Sequence, residues 1–213
     1  MYDIIKRRIN RWQFKYSIGQ LKNTEFCIIA NNCLGGRIYQ TLGRQYNTPF
    51  IGLLVQPPCF AKLATDFECY MAKKLSFTKK SKYPNHPNAR RTDKPCPIGL
   101  LGDVEIQFIH YSSEDEAARK WNQRRSRIDY INLYYVLVIG NSYDPTAIAT
   151  YTKSNTHNKV CFHNQKELAF PTGVYIPSKN HHMGNLYSQY HRLVGHFNFA
   201  EWILRSNQPK NPK

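Results

Sequence analysis

A polar turn near the start of the chain carries the residue types best suited to binding an anion. It follows an apolar run and precedes a helical pattern, and it consists of Asn31, Asn32, Cys33, Leu34, Gly35, Gly36 and Arg37. The two asparagines tolerate a left-handed turn, and their amides can bind sugar or phosphate. The amides of the last three residues open the helix, where the helix dipole favours negative charge. The alternative interpretation is a tight strand-to-helix turn that needs glycine only for packing.

Two side chains near this turn are candidates for catalysis. Cys33 at a helix N-terminus is predicted to have a lowered pKa and to act as a nucleophile; a small buried hydrophobe is the alternative. His110 is the candidate general base if its strand runs parallel to the first one, and a semi-buried structural histidine is the alternative. Asp103 would then lie roughly 20 Å from this edge at 3.3 Å per residue, which argues against a Cys-His-Asp triad.

A basic helix provides a third candidate. Arg124 and Arg125 flank the core-facing Trp121, and arginine pairs bind phosphate in a bidentate manner. A solvated basic face is the alternative. The histidines have no tight metal-ligand spacing with carboxylates, so no metal site is predicted, and the sequence indicates no particular cofactor.

The elements that must position these residues alternate between strands and helices. Short apolar runs at residues 25–30, 50–55, 104–111, 133–139 and 160–162 predict buried strands. Helical spacing follows at 35–43, 60–75 and 197–204, and a capping box at Ser113 and Glu116 opens another helix. This alternation predicts an α/β fold, a layered α/β/α domain with a parallel or mixed sheet.

The chain is predicted to form one main domain with basic appendages. Residues 1–22 form a basic N-terminal segment, which is either an amphipathic helix on an anionic membrane or a helix packed on the domain. Residues 23–206 form the single α/β domain, with an irregular basic loop at 76–97. Residues 207–213 are predicted to be a disordered tail.

The net charge indicates which classes of partner the protein attracts, and the cysteine content indicates the cellular compartment. Lys and Arg number 30 against 14 Asp and Glu, a formal net charge of +16, which attracts polyanions. Nucleic acid is an unlikely partner because the basic residues are scattered and no recognition motif occurs. With six cysteines but no CxxC pair, no secretory leader and no long apolar run, the protein is expected to be cytoplasmic with reduced thiols.

Several motifs resemble a bacterial family of unknown function that is often labelled exopolysaccharide biosynthesis protein. Its Asn-Asn-Cys-Trp-Gly-Gly turn matches residues 31–36 except at Leu34, and its Tyr-Asn-Ser-Pro-Phe segment resembles residues 46–50. Its Pro-Ile-Gly-x-Leu-Gly-Asp run, Trp-x-x-Arg helix and terminal helix resemble residues 97–103, 120–129 and 197–204. Relatives carry acidic residues where Gly140, Asn141 and Ser142 stand here, so an acid or metal role at that point is not expected.

The resemblance implies an α/β fold and a role in assembling capsule, exopolysaccharide or lipopolysaccharide. Combined with the candidate anion site, it predicts a transferase that acts on a glycan with an anionic activated donor. The alternative is a non-catalytic assembly factor that contacts the anionic inner membrane through the basic N-terminus and the 76–97 loop.

Overall fold

The computed structural model describes residues 2–84, 96–139, 144–178, 183 and 185–207. The helices are α1 Tyr2–Gly19, α2 Leu34–Leu42, α3 Pro57–Thr65, α4 Phe67–Ala72, α5 Glu114–Arg125, α6 Pro145–Lys153 and α7 Phe199–Ser206. The strands are β1 Cys27–Ala30, β2 Ser76–Thr78, β3 Ile98–Leu101, β4 Val104–Gln107, β5 Leu133–Val138, β6 Lys159–His163 and β7 Gly173–Tyr175. The sequence features at residues 85–95, 140–142, 181–182 and 208–213 lie outside these described ranges.

The main sheet has four parallel strands in the order β1-β5-β6-β7. All four residues of β1 and the last five of β5 are buried, because helices cover both faces of the sheet. This burial explains why these strands appear in the sequence as continuous apolar runs. A second, antiparallel sheet has the order β2-β3-β4.

Alternate residues along the main sheet face two separate hydrophobic cores. One face, with Ile28 and Val136 among its residues, packs against α1, α2 and α7. The opposite face, with Ile29 and Leu137, packs against α3, α4, α5 and α6. The structure therefore confirms a layered α/β/α domain, with the parallel sheet as its middle layer.

The outer edge of β1 is covered by side chains and by a neighbouring loop. The Tyr39 hydroxyl accepts the amide of Ile28 at 2.9 Å, and Asn47 donates to the Phe26 carbonyl at 2.8 Å. The amide of Val55 donates to the Asn31 carbonyl at 2.8 Å. These bonds satisfy an edge that would otherwise be free to pair with another chain, and they fix the 46–55 segment beside the first strand.

The structure differs from the sequence prediction at residues 50–55, where the sequence predicts a strand. These residues form turns with one isolated bridge from Leu54 to Gln107, because Gly52 adopts a φ of 71°. The helix predicted at 60–75 is also wrong in detail, since it breaks at Asp66 into α3 and α4.

Two further differences concern the second sheet. β4 ends at Gln107, well before the predicted end at Tyr111, and it pairs antiparallel with β3, so it is not a strand of the parallel sheet that contains β1. Within the segment predicted as an irregular loop, residues 76–78 form β2. Asp103 lies in the β3–β4 turn, where it accepts hydrogen bonds from Lys62 at 2.8 Å and Tyr70 at 2.7 Å.

The predicted capping box of α5 is present. The Ser113 hydroxyl accepts the amide of Glu116 at 3.1 Å, and the Glu116 carboxylate accepts from Ser112. Acidic residues occupy the first turn of α5 and arginines its last turn, which complements the helix dipole. The cap fixes the N-terminal end of this helix, and Arg124 and Arg125 project from its opposite end. No helix among the described residues is both long and apolar enough to cross a membrane.

Candidate functional site

Asn31 lies where β1 and β5 end, and it is 2% exposed. Its Oδ1 accepts the amide of Val138 at 2.8 Å, while its Nδ2 donates to the carbonyls of Val138 at 3.2 Å and Val55 at 3.3 Å. The side chain thus joins three backbone segments at the carboxyl edge of the sheet. This geometry gives Asn31 a structural role, and the binding role assigned to it stays a prediction.

The first turn of α2 satisfies part of its own amide groups. Oδ1 of Asn32 accepts the amide of Leu34 at 3.0 Å, and the Cys33 carbonyl accepts the amide of Gly36 at 3.1 Å. Gly35 is buried so closely against β1 that a Cβ there would lie 3.0 Å from the Ile28 side chain. These contacts favour the packing interpretation of the glycines over an open cradle of amides for an anion.

Cys33 is half-buried beside this turn. Burial raises the pKa of its thiol to about 11, although a backbone hydrogen bond from Gly52 opposes the shift. The sequence predicts a lowered pKa at this helix N-terminus, and the direction found is the opposite because loss of hydration outweighs the helix dipole. A thiol that stays protonated near neutral pH is a poor nucleophile.

His110 is exposed and follows β4 in a turn. Its amide donates to the Gly52 carbonyl at 3.1 Å. A Cβ built on Gly52 would lie 3.3 Å from both the His110 Cβ and a ring carbon of Tyr111. Gly52 therefore contacts both catalytic candidates, Cys33 and His110, although they come from different sheets.

Arg124 reaches the same region from the end of α5. Its Nη1 donates to the Tyr111 hydroxyl at 2.6 Å, and that hydroxyl donates to the Ile51 carbonyl at 2.6 Å. Burial raises the pKa of Tyr111, and the charge of Arg124 partly offsets this. The guanidinium also lies 5.2 Å from the centre of the Tyr46 ring. The structure thus brings Cys33, His110 and Arg124 together around Gly52 and Tyr111.

Arg37 lies near the start of α2. Its guanidinium is 4.2 Å from the centre of the Tyr187 ring, and its Nε donates to the Tyr187 carbonyl at 3.0 Å. Tyr187 then donates to Gln40 at 2.8 Å, and Gln40 donates to the Tyr46 hydroxyl at 3.3 Å. We call the set Arg37, Gln40, Tyr46, Arg124 and Tyr187 the arginine–tyrosine surface.

The two arginines of this surface have neutral partners. Arg37 and Arg124 contact ring faces, carbonyl oxygens and a hydroxyl. Within the described ranges, neither lies within ion-pair distance of a carboxylate. Their positive charges are therefore oriented by the protein without being neutralised by it, which suits the binding of an anion.

Arg125 does not join this group. Its Nη1 donates to the carbonyls of Met71 at 3.0 Å and Lys73 at 3.3 Å, at the end of α4. A cation that binds the last carbonyls of a helix stabilises the helix end. The structure thus separates Arg125 from Arg124, although the sequence groups the two as a phosphate-binding pair.

Sequence reasoning did not single out Gly52, Tyr46 or Tyr111. A signal existed for Gly52, because a glycine inside an apolar strand pattern marks a bend or a close backbone approach. Tyr46 opens the 46–50 segment that resembles the family motif, but no pattern links it or Tyr111 to Arg124, because those contacts depend on where α5 places the arginine. His163 was also missed: it is buried at the carboxyl end of β6, with Nδ1 3.1 Å from the Gln165 carbonyl.

One buried carboxylate is fully engaged in structure. Glu105 is 1% exposed and accepts hydrogen bonds from the Ser81 hydroxyl at 2.7 Å, the Lys82 amide at 2.6 Å and the Gln107 side chain at 3.1 Å. Among the residues described, no cluster of three or more His, Cys, Asp or Glu is arranged to hold a metal ion. The arginine–tyrosine surface with its neighbours Cys33 and His110 is therefore the candidate site.

Comparisons with known proteins place the whole chain in one group. A family model described as a domain of unknown function, DUF1919, matches residues 4–204. An uncharacterized protein of Haemophilus influenzae is 28% identical over 213 residues, covering 95% of this chain and 97% of that relative. Because the family match spans nearly the entire sequence, this chain belongs to the DUF1919 family.

Proposed function

We propose that this protein is a transferase of surface-polysaccharide biosynthesis that binds an anionic activated donor on the arginine–tyrosine surface. The observation that carries the proposal is that Arg124 and Arg37, two oriented guanidinium groups with neutral partners, are linked through Tyr187, Gln40 and Tyr46. The pathway follows from the resemblance of the motifs to proteins labelled for exopolysaccharide biosynthesis.

The chemistry of the surface fits a phosphate joined to a sugar. Guanidinium groups bind phosphate oxygens through paired N–H donors. Tyr46 and Tyr187 supply ring faces and hydroxyls, and the exposed Gln40 supplies an amide that can bind sugar hydroxyls. Arginine side chains thus take the role that the sequence assigns to the amides of the Asn31–Gly36 turn.

The residues beside the surface suit general-base catalysis better than covalent catalysis. His110 is exposed next to Gly52, so its ring can reach a bound acceptor hydroxyl, which is the role of a base in glycosyl or phosphoryl transfer. Cys33 remains a thiol at neutral pH because burial holds its pKa at about 11. We therefore assign Cys33 a positioning role and His110 the base.

Calorimetry with nucleoside diphosphates and their sugar conjugates tests donor binding. The Arg124→Gln substitution is expected to weaken donor binding by at least about tenfold, a loss of roughly 1.4 kcal/mol. Arg119→Gln is the matched control, because Arg119 is exposed on the same helix and loses the same charge. Equal affinities for the two variants, or no binding of any donor to the parent protein, would refute the proposal.

A second candidate function is a non-catalytic assembly factor docked on a membrane, and the outer face of α1 favours it. Phe14 and Ile18 anchor α1 on the domain. The opposite face exposes large apolar side chains at alternating spacings of three and four residues, with exposures from 49% to 76%: Tyr2, Ile5, Ile9, Trp12 and Tyr16. Lys6, Arg8 and Lys15 flank this stripe.

The charge of α1 favours docking on an anionic lipid surface over packing against a second copy of the chain. The helix carries five basic residues and one acidic residue, so two copies packed along the stripe would repel each other. Flotation with phosphatidylglycerol vesicles and neutral vesicles tests this docking. The docking proposal is supported if the parent protein binds only to anionic vesicles and the Ile9→Ser/Trp12→Ser variant does not bind them. It is excluded if the parent protein binds neither kind of vesicle.

A further inference from the structure

The first half of α1 overhangs the domain and forms one wall of a cleft. Residues 2–9 are all exposed, and a hydrogen bond from Asn10 to the His191 carbonyl at 3.2 Å joins the middle of α1 to the domain. The residues of the opposite wall are Pro177, Ser178, Ser188, Gln189, His191 and Arg192. The cleft has a volume of about 930 Å³, which is ample for a phosphate-bearing group.

The cleft concentrates positive charge from two distant parts of the chain. Lys6, Arg7 and Arg11 line it from α1, and Arg192 lines it from the other wall. Asp3 is the one acidic residue among its lining residues. The four cations repel one another, and one carboxylate does not balance their charge. An anion from outside the chain that binds between them would relieve this repulsion.

Arg192 is held rigidly by neutral acceptors. Its Nη1 donates to the Met183 carbonyl and to the Gln189 side chain at 3.0 Å, and its Nη2 donates to the Pro177 carbonyl at 2.7 Å. Its guanidinium is thereby fixed in orientation, and no carboxylate of the described residues lies within ion-pair distance of it. A guanidinium prepared in this way loses little further freedom when it binds an anion.

His191 adds an unsatisfied polar atom to the same wall. Its Nδ1 is buried and has no hydrogen-bond partner within the described ranges. Burial lowers the pKa of His191, and the nearby charges of Arg11, Arg7 and Arg192 lower it further. A neutral imidazole adds no charge of its own to the wall, so the four cations are the groups that attract an anion.

We propose that this basic cleft, formed by Lys6, Arg7 and Arg11 of α1 against His191 and Arg192, binds a phosphomonoester or diphosphate group. Phosphate suits it better than a carboxylate because it offers more oxygens and more charge to four spread cations. The cleft involves none of the residues of the arginine–tyrosine surface, so this site does not depend on the proposed donor site. The phosphate can be borne by a soluble molecule or by a lipid.

Calorimetry with inorganic pyrophosphate tests the soluble source. The Arg7→Gln/Arg11→Gln variant is expected to bind pyrophosphate at least about tenfold more weakly than the parent protein. The control variant Lys22→Gln/Lys153→Gln loses the same charge outside both the cleft and the α1 stripe, and its affinity should stay within about twofold. Since all four residues are exposed, neither variant is expected to unfold.

Vesicles test the lipid-borne source. Vesicles with phosphatidic acid, a phosphomonoester, are compared with phosphatidylglycerol vesicles of equal surface charge. A preference for phosphatidic acid that disappears in Arg7→Gln/Arg11→Gln assigns the cleft to a lipid phosphate. Equal losses in the cleft variant and the control variant would overturn the proposal, as they would show only general attraction to a basic chain. Absence of both pyrophosphate binding and the phosphatidic acid preference would also overturn it.

Discussion

The Asn31→Ala substitution separates a structural role from a ligand-binding role at the strand edge. The Asn31 side chain makes three hydrogen bonds to the backbone of Val138 and Val55, and it is 2% exposed. A hydrogen bond of this kind contributes about 1 kcal/mol, and a buried amide left without a partner costs about 1–3 kcal/mol. We therefore expect the free energy of unfolding to fall by about 3 kcal/mol.

Urea unfolding followed by far-UV circular dichroism measures this loss. With a slope of about 3 kcal/mol per molar urea, the unfolding midpoint should fall by about 1 M. Asn32→Ala is the control, because it removes one capping bond to Leu34 worth about 1 kcal/mol and should lower the midpoint by about 0.3 M. An Asn31→Ala midpoint equal to that of the parent, together with lost donor binding, would refute the structural assignment.

The Asn31→Asp substitution should make the stability measured by urea unfolding depend on pH. A carboxylate oxygen would replace Nδ2 and face two carbonyl oxygens. Burial and this repulsion favour the protonated acid, so its pKa in the folded state should exceed the unfolded value of about 3.9. The stability difference from the parent should therefore be smallest below about pH 4 and grow as the pH rises through the folded pKa of the substituted side chain.

Three further predictions concern packing, thiol reactivity and pH. In urea unfolding, Gly35→Ala should lower the free energy of unfolding by about 1–3 kcal/mol, because its Cβ would lie 3.0 Å from a β1 side chain. Gly36→Ala is the control: its Cβ would have a nearest contact of 3.5 Å, so the free energy of unfolding should change by less than about 1 kcal/mol. Alkylation of Cys33, measured by mass spectrometry, should be slow at pH 7 and accelerate about tenfold per pH unit towards the Cys33 pKa of about 11. The exposed Cys69 should react before Cys33. Rapid labelling of Cys33 at pH 7 would contradict this prediction. Hydrogen bonds from lysine and tyrosine hold the pKa of Asp103 at about 2. The Asp103→Asn variant should therefore be less stable than the parent at pH 7. In thermal unfolding, the stability difference between parent and variant should shrink as the pH falls from about 4 through 2.

The elements that could be predicted from the sequence are those with a strong local signal. Apolar runs marked β1, β5 and β6, and the capping residues Ser113 and Glu116 marked the start of α5. Local spacing could not show that the 50–55 run bends at Gly52, since an apolar run suits a buried turn as well as a strand. The direction of β4 likewise depends on β3, which carries only four residues of weak pattern.

The sequence predicts where several site candidates meet but not which neighbours they contact, and their binding and catalytic roles stay predictions. Strand-end reasoning placed the candidate site near the 31–37 turn, and Cys33, His110 and Arg124 do meet there. The same reasoning could not separate Arg124 from Arg125, because adjacent helix residues differ in direction by about 100° and their partners lie far away in the chain.

The sequence alone determined the α/β class, the strong positive charge and the presence of a polar turn after the first strand. These follow from periodicity and composition, which are local properties. Only the tertiary structure decided what the polar groups do. It enclosed the side chain of Asn31 in backbone hydrogen bonds and raised the pKa of Cys33 by burial. It also set Arg7 and Arg11 against Arg192, because hydrogen-bond partners, burial and the meeting of distant charges depend on contacts that no local pattern contains.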